Sequence, residues 1–181
     1  MELLTTDVMR LCLKLPDGGA MRFHAGQYIN ILLDDGAKRS FSFASAPPAG
    51  GASDDIELHV RLVPGGRFTT RVFSAMKVGD IVRFEGPLGA FTLREDSDKP
   101  IVLLASGTGF APIKAIIEHL RAQGSTRPAR LYWGCRTQAD LYLHEWAEQA
   151  AAAMPTLRYV PVLSEARPDE AERQHRIEEH D

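Results

Sequence analysis

Cysteine is scarce in this sequence. Among 181 residues there are two, Cys12 and Cys135, far apart in the chain. That spacing argues against a disulfide framework and suits a reducing, cytoplasmic setting. Two thiols also cannot supply the four thiolates of an ordinary two-iron, two-sulfur cluster. Long apolar runs are missing too, and nothing is long enough to cross a bilayer. The opening stretch MELLTTDVMR lacks the basic and apolar regions of a secretory signal. Positive charge is not in excess: the net charge is -3, which speaks against bulk attraction to nucleic acid or to anionic lipid. There is no internal repeat. His175 and His180 lie in a charged tail without a third ligand, so no metal site is expected.

Hydrophobic residues make up 44% and charged residues 25% of the chain, as in ordinary globular proteins. The first half reads as short strands punctuated by turns. Val8–Leu15 alternates apolar and polar side chains, and Pro16 to Gly19 is a turn. Further strands are expected at 28–33, 41–44, 56–63, 81–84 and 91–93, with a helix over 68–76 after a Gly-Gly pair. Six short strands with Gly/Pro turns predict an antiparallel six-stranded β-barrel. The pattern changes near Asp96. Pro100 to Ala105 is a continuous apolar run, expected for a parallel strand buried on both faces. A helix at 111–123, a strand at 129–133, a helix at 140–152 and a strand at 157–163 follow. This β-α-β-α-β order predicts an α/β domain with a parallel sheet. The expected division is 1–96 for the barrel, 97–163 for the α/β domain and 164–181 for a charged, solvated tail.

Three glycine- or arginine-bearing segments carry chemistry. Gly107–Thr108–Gly109–Phe110–Ala111–Pro112 follows a strand and opens a helix. Glycines let a backbone approach a pyrophosphate, and a helix N-terminus offers unpaired N–H groups and a positive dipole end. Pro112 suits the first helical turn. The segment is not the usual dinucleotide G-x-G-x-x-G, and it lacks the Lys-Ser/Thr of a phosphate-binding P-loop; a plain tight turn is the alternative. Arg39–Ser40–Phe41–Ser42 offers a guanidinium and alternating hydroxyls to a phosphate and a heterocycle. Gly65–Gly66–Arg67–Phe68–Thr69–Thr70 is a second glycine turn opening a helix, either an anion site or a helix capped by Thr69.

Taken in order, these segments resemble the ferredoxin–NAD(P)H reductase family, most closely the flavoprotein part of bacterial reductases that serve oxygenases or deoxysugar dehydratases. The resemblance runs from Met1 to about Leu163. It rests on Phe23 to Tyr28 (FHAGQY), Arg39 to Ser42, His59 to Leu62 ahead of Gly65–Gly66, Gly86 to Phe91 (GPLGAF), Gly107 to Pro112, and Trp133–Gly134–Cys135–Arg136. It implies an FAD-binding barrel and a nicotinamide-nucleotide domain. Arg39, Gly66, Arg67 and Thr69, beside Gly65 and Phe68, would hold the FAD phosphates. Phe41 would lie against the flavin, and Ser42 would serve the hydride-accepting position as the catalytic residue. His59, Val60 and Leu62 would bring backbone to the flavin or ribityl region. Gly107, Thr108, Gly109 and Pro112 would take NADH, or alternatively NADPH, with Gly134, Cys135 and Arg136 near its adenosine half. The implied activity is hydride transfer to flavin, then electron delivery to an iron–sulfur protein or domain.

Two departures stand out against that pattern. Phe41 occupies a place where the family usually has Tyr, so a hydroxyl hydrogen bond is lost and weaker FAD binding is expected. Residues 164–181 match neither the further strand nor the Cys-Gly-Pro loop that the family carries, so the nucleotide domain is expected to be incomplete. A non-catalytic flavin-binding module is therefore a second reading. A subunit delivering electrons to NAD, like that of dihydroorotate dehydrogenase, is a third, and the C-terminal cysteine cluster it would need is not in the sequence. Trp133 and Trp146 are read as packing residues, and Cys135 as a small residue at a strand end.

Overall fold

The computed structural model describes residues 1–16 and 18–165. Its contacts divide the chain into two units: Met1–Arg94 with Ala111–Gln123, and Glu95–Phe110 with the residues from Gly124 onward. Apart from Ser164 and Glu165, the expected charged tail with His175 and His180 lies outside the described residues.

The first unit contains β1 (Glu2–Leu3), β2 (Val8–Lys14), β3 (Met21–Arg22), β4 (Tyr28–Leu32), β5 (Lys38–Ser42), β6 (Ala52–Ser53), β7 (Asp55–Arg61), α1 (Arg67–Ser74) and β8 (Phe84–Leu88), and most of α2 (Phe110–Ala122). Its ladders are antiparallel: β1-β2-β7, β5-β4-β8, and the short ribbon β3-β6. An isolated bridge joins Phe43 to Leu58. The period-2 alternation of strands explains the core. Ile56, Leu58 and Val60 on one face of β7 meet Leu11, Ile29, Ile31, Phe43 and α1's Phe68 and Val72. The Phe23 and Phe43 rings stand 4.2 Å apart within it. Each such side chain, fully buried, contributes roughly 1.5–3 kcal/mol.

Several expected elements shift. Residues 91–93 are not a strand, because β4 begins at Tyr28, which pairs with Leu88, and no ladder position remains beyond it. The strand expected at 81–84 starts only at Phe84, and Ile81 is exposed. The strand expected at 41–44 runs earlier, over Lys38–Ser42, since its outer row of Lys38, Ser40 and Ser42 is polar and hides it from hydropathy. The expected count of six strands is not what the described residues show: the first unit has eight, three of them two residues long.

Two family-like segments prove to be one structural device. Gly26 has φ +99, and a Cβ there would lie 2.0 Å from the Phe91 carbonyl oxygen. Gln27 Nε2 donates to Gly89 O at 3.0 Å, and its Oε1 accepts the His24 N–H at 2.8 Å. Only glycine tolerates that backbone approach, so FHAGQY and GPLGAF lock together.

The second unit contains β9 (Ile101–Ser106), a 3-10 turn at Gly107–Gly109, β10 (Ala129–Cys135), a 3-10 turn at Gln138–Asp140, α3 (His144–Ala153) and β11 (Leu157–Leu163). Its sheet is parallel, in the order β11-β10-β9. The helix expected from 140 begins at His144, because Thr137 and Asp140 close a capping box around the 3-10 turn first. Among the described residues β9 stands at the end of the sheet, with one face buried: Val102 is 62% and Leu104 70% exposed, whereas Ile101 and Leu103 are buried. Among the described residues its apolar run covers one face, not the two expected.

Candidate functional site

The turn ahead of α1 is built for close approach. Gly65 takes φ +74, and Gly66 is the N-cap with extended backbone. Thr69 is not the cap; its Oγ1 accepts the Val63 N–H at 3.2 Å and turns toward the carbonyls of Val63 and Gly66. No side chain caps α1, so no side-chain oxygen competes for the N–H groups of its first turn. Two contacts bring β5 to this helix start. The Phe41 and Phe68 rings lie 5.4 Å apart at 51°, a geometry worth about 0.5–1.5 kcal/mol beyond burial. Arg67 pairs with Asp35 in the β4–β5 turn.

Period 2 puts Arg39 on the same face of β5 as Phe41, with Ser40 and Ser42 on the other. Arg39 is exposed, and its guanidinium donates to the neighbouring Lys38 carbonyl at 2.8 Å. Ser40 belongs to a polar row: its hydroxyl donates to Asn30 Oδ1 at 2.7 Å, Asn30 Nδ2 donates to Glu85 Oε1 at 2.9 Å, and Lys38 Nζ to the same oxygen at 2.7 Å. The bonds from Lys38 and Asn30 hold the Glu85 carboxyl below its usual pKa. Ser42 is half-buried and pairs with Tyr28. Val60 is in the core, and the Leu62 N–H is committed to Asp7 O at 2.7 Å. Beside α1 lies an open cleft of about 420 Å³ lined by Arg67, Arg71 and Arg83 together with Ile31, Phe68 and Ile81. Arg67 and Arg71 are paired there with Asp35 and Asp80, and Asp34 also lines the cleft, so its charge is mixed.

In the second unit, Gly107, Thr108 and Gly109 form the 3-10 turn at the C-terminal end of β9, with Gly107 at φ +49. Ser106 caps it without a side-chain bond, and a Cβ at Gly109 would meet nothing within 4 Å. Gly134 pairs in register with Ser106, so the Gly107 turn and Gly134–Cys135–Arg136 stand side by side at the C-terminal ends of parallel strands. Open parallel sheets bind ligands at that end. Pro112 is the third residue of α2, within the first turn. Cys135 is half-buried, with its thiol 3.4 Å from Asp140 O. Trp133 is fully buried, as a packing residue should be, but it also does something its sequence position does not announce. Its indole N–H donates to Gly107 O at 3.0 Å, and its ring stacks on Phe110 at 3.8 Å. One side chain thus props the glycine turn. Trp146 meets the edge of Phe110 at 5.8 Å.

Sequence reasoning missed a polar cluster within the first unit. Glu57 and His59 alternate onto the outer face of β7, and Lys114 and Glu118 sit one helical turn apart on α2. Lys114 Nζ donates to Ala44 O at 2.8 Å and to Glu118 Oε1 at 2.6 Å, and lies 3.2 Å from Glu57 Oε1. Glu118 Oε2 accepts the Ala46 N–H at 3.0 Å. His59 Nε2 donates to Glu57 Oε1 at 2.8 Å. Burial pushes the Glu57 pKa up, but the His59 hydrogen bond and the Lys114 charge outweigh it and leave the carboxyl below its ordinary value. Burial lowers the His59 pKa more than Glu57 raises it, which favours a neutral imidazole. The period-2 pair on β7 and the i,i+4 pair on α2 were the available sequence signals; their meeting was not.

Residues 1–93 match the family described as oxidoreductase FAD-binding domain, and residues 103–180 match oxidoreductase NAD-binding domain. The chain is 41% identical over 163 residues to the reductase component 1 of terephthalate 1,2-dioxygenase from Comamonas sp, covering 90% of this chain and 47% of that protein. It is 40% identical over 163 residues to the CDP-6-deoxy-L-threo-D-glycero-4-hexulose-3-dehydrase reductase of Yersinia pestis, covering 90% and 48%. Among solved structures, the Amycolatopsis cytochrome P450 reductase GcoB superposes with a TM-score of 0.82 at 37% identity, covering 93% of this chain and 51% of that one. The chain spans about half the length of the curated relatives it matches.

Proposed function

The chain belongs to the oxidoreductase FAD-binding domain family, and from that premise we propose that it is the flavin- and nicotinamide-binding part of a reductase that serves an iron–sulfur partner. The observation that carries this reading is a pair of uncapped glycine turns, one per unit: Gly65–Gly66 ahead of α1 and Gly107–Gly109 ahead of α2. Each leaves backbone N–H groups for a phosphate, and the residues around each fit a dinucleotide.

In this reading residues 1–96 form the antiparallel flavin barrel, with the strands of β1-β2-β7 and β5-β4-β8 as its wall. Residues 97–163 form the nucleotide domain. Arg39, Arg67 and the α1 turn of Gly65, Gly66, Phe68 and Thr69 hold the FAD pyrophosphate. Phe41, fixed by Phe68, supports the isoalloxazine, and the backbone around His59, Val60 and Leu62 borders it. Ser42 serves the hydride-accepting edge. Gly107, Thr108, Gly109 and Pro112 bind the nicotinamide nucleotide, and Gly134, Cys135 and Arg136 border its adenosine half. NADH is the preferred donor; within that set Arg136 is the cation able to pair with the 2′-phosphate of NADPH. Bound flavin supplies the chemistry, taking a hydride and releasing electrons singly. The protein's part is to orient the two cofactors and exclude water. Two free cysteines among the described residues suit a cytoplasmic setting, and no helix there is long and apolar enough to cross a membrane.

An anaerobic visible spectrum of the FAD-reconstituted chain, before and after NADH, tests the proposal. Bleaching of the flavin bands is expected. A flavin that stays oxidised with both NADH and NADPH would replace this reading with a non-catalytic flavin module. A chain that retains no flavin would overturn the Arg39 to Ser42 assignment.

A further inference from the structure

The geometry points to Lys114 as a positioning residue that, with Glu118 and Glu57, holds the Phe43–Ala46 backbone and through it the end of the flavin-bearing strand; the inference rests on the flavin reading above. Ser42 is the last residue of β5, and the chain must be anchored just beyond it if Ser42 is to keep its place. Phe43 N–H donates to Gln27 O at 2.9 Å and Ala44 N–H to Glu57 O at 2.8 Å. Two further polar groups of this stretch are gripped from α2: the Ala44 carbonyl by Lys114 and the Ala46 N–H by Glu118. Ala44 is fully buried, so its carbonyl needs a protein partner.

A buried lysine is an expensive way to satisfy one carbonyl. The Lys114 side chain is 5% exposed, and the desolvation of an ammonium and its carboxylates offsets much of their attraction. A hydrophobic side chain would avoid that desolvation but would leave the Ala44 carbonyl without its partner. It would not define where residues 43–46 sit. Lys114 binds a backbone carbonyl and two carboxylates at once, and one of those carboxylates binds the same backbone segment two residues further on. The cluster is therefore a two-point clamp on this segment, and its value lies in position.

The test uses the full chain with Lys114→Arg, Lys114→Met and the double variant Lys114→Met/Glu118→Met, which removes both halves of the i,i+4 pair and strands neither. Hydrogen exchange is read at the Phe43 and Ala44 amides, whose acceptors are backbone carbonyls that no variant alters. FAD affinity is read by flavin fluorescence quenching, and folding by thermal melting. The double variant is expected to stay folded with a lower melting temperature, because the Ala44 carbonyl and the Ala46 N–H lose their partners, to lose at least tenfold in protection at those two amides and to bind FAD at least tenfold more weakly. Lys114→Arg is expected to keep both within threefold. A folded double variant with protection and FAD affinity within twofold of wild type would overturn the proposal. So would a double variant too unstable to fold, which would make the cluster merely structural. A wild-type chain that takes up no FAD would instead sink the flavin reading, and the exchange data would still decide whether the clamp exists.

Discussion

Gly66→Ala puts the α1 turn to a quantitative test. Gly66 sits at φ -71, ψ 114, a conformation alanine adopts freely, so backbone strain is not the issue. Restricting the unfolded chain would even stabilise by about 0.4–1 kcal/mol. The obstacle is space: the new Cβ would lie 2.5 Å from Thr69 Oγ1, 3.0 Å from Val63 O and 3.2 Å from Val63 Cβ. The hydroxyl must move, and it gives up its bonds in the turn. One or two such bonds are worth roughly 1 kcal/mol each, and alanine is a poorer N-cap than glycine. The balance is a loss of about 1.5 kcal/mol, or roughly 6–12 °C in the melting of the first unit. Displacing the N–H groups of the helix start should weaken FAD roughly 10- to 100-fold, the loss of about one or two charge-assisted bonds. The assay is a double-mutant cycle with Thr69→Ala, which removes the group that the Cβ strikes. Coupling of about 1 kcal/mol is expected. Gly65→Ala is the control. Nothing lies within 4 Å of its Cβ, but φ is +74, so it should cost about 1–2 kcal/mol of conformational strain and add independently to Thr69→Ala. Strict additivity of Gly66→Ala with Thr69→Ala, or an unchanged Gly66→Ala melt, would refute the steric argument.

Two further outcomes follow from the described geometry. Trp133→Phe keeps the stack on Phe110 but removes the N–H that supports Gly107; NADH or NAD affinity, measured by titration calorimetry, should fall roughly 5- to 10-fold, about 1–1.4 kcal/mol, while FAD affinity stays put, and equal nucleotide binding would remove Trp133 from the site. Stability should decline on acidification: His59 has a folded pKa below its ordinary 6.5, so the unfolded chain binds the extra proton first and stability present above about pH 6.5 is lost as the pH falls through the folded value. Glu57, lowered from 4.5, adds a loss of the same sign at lower pH. Urea midpoints between pH 8 and pH 5 should show the decline, and His59→Gln should flatten its upper part; a wild-type midpoint that does not move would contradict the burial of a neutral His59.

Much was legible before any coordinates. Alternation along Val8–Leu15 and 56–63 gave away β2 and β7 to within two residues at each end, because a half-buried sheet imposes a period of two on its side chains. The glycines at 65, 66 and 107 announced backbone turns, because positive φ at 65 and 107 and close approach at 66 leave few other residues. The family-like segments appeared in order, so the two-domain fold and its cofactor class could be expected from the letters alone. β5 was expected to start three residues too late because its outward row is polar, and the run at 100–105 did not reveal that only one of its faces is covered among the described residues, because hydropathy cannot distinguish an exposed face from a covered one.

The tertiary structure decided what the chain could not spell out. Lys114 and Glu57 are 57 positions apart, and no local period links them; only the placement of α2 against β7 makes them a cluster. The Trp133 indole and the Gly107 carbonyl meet because β9 and β10 are parallel neighbours whose ends align. Local propensity and pattern are set by a residue's neighbours in sequence, whereas the partners that hold a backbone carbonyl or orient a glycine turn are chosen by long-range packing, and that is where the supports of this site lie.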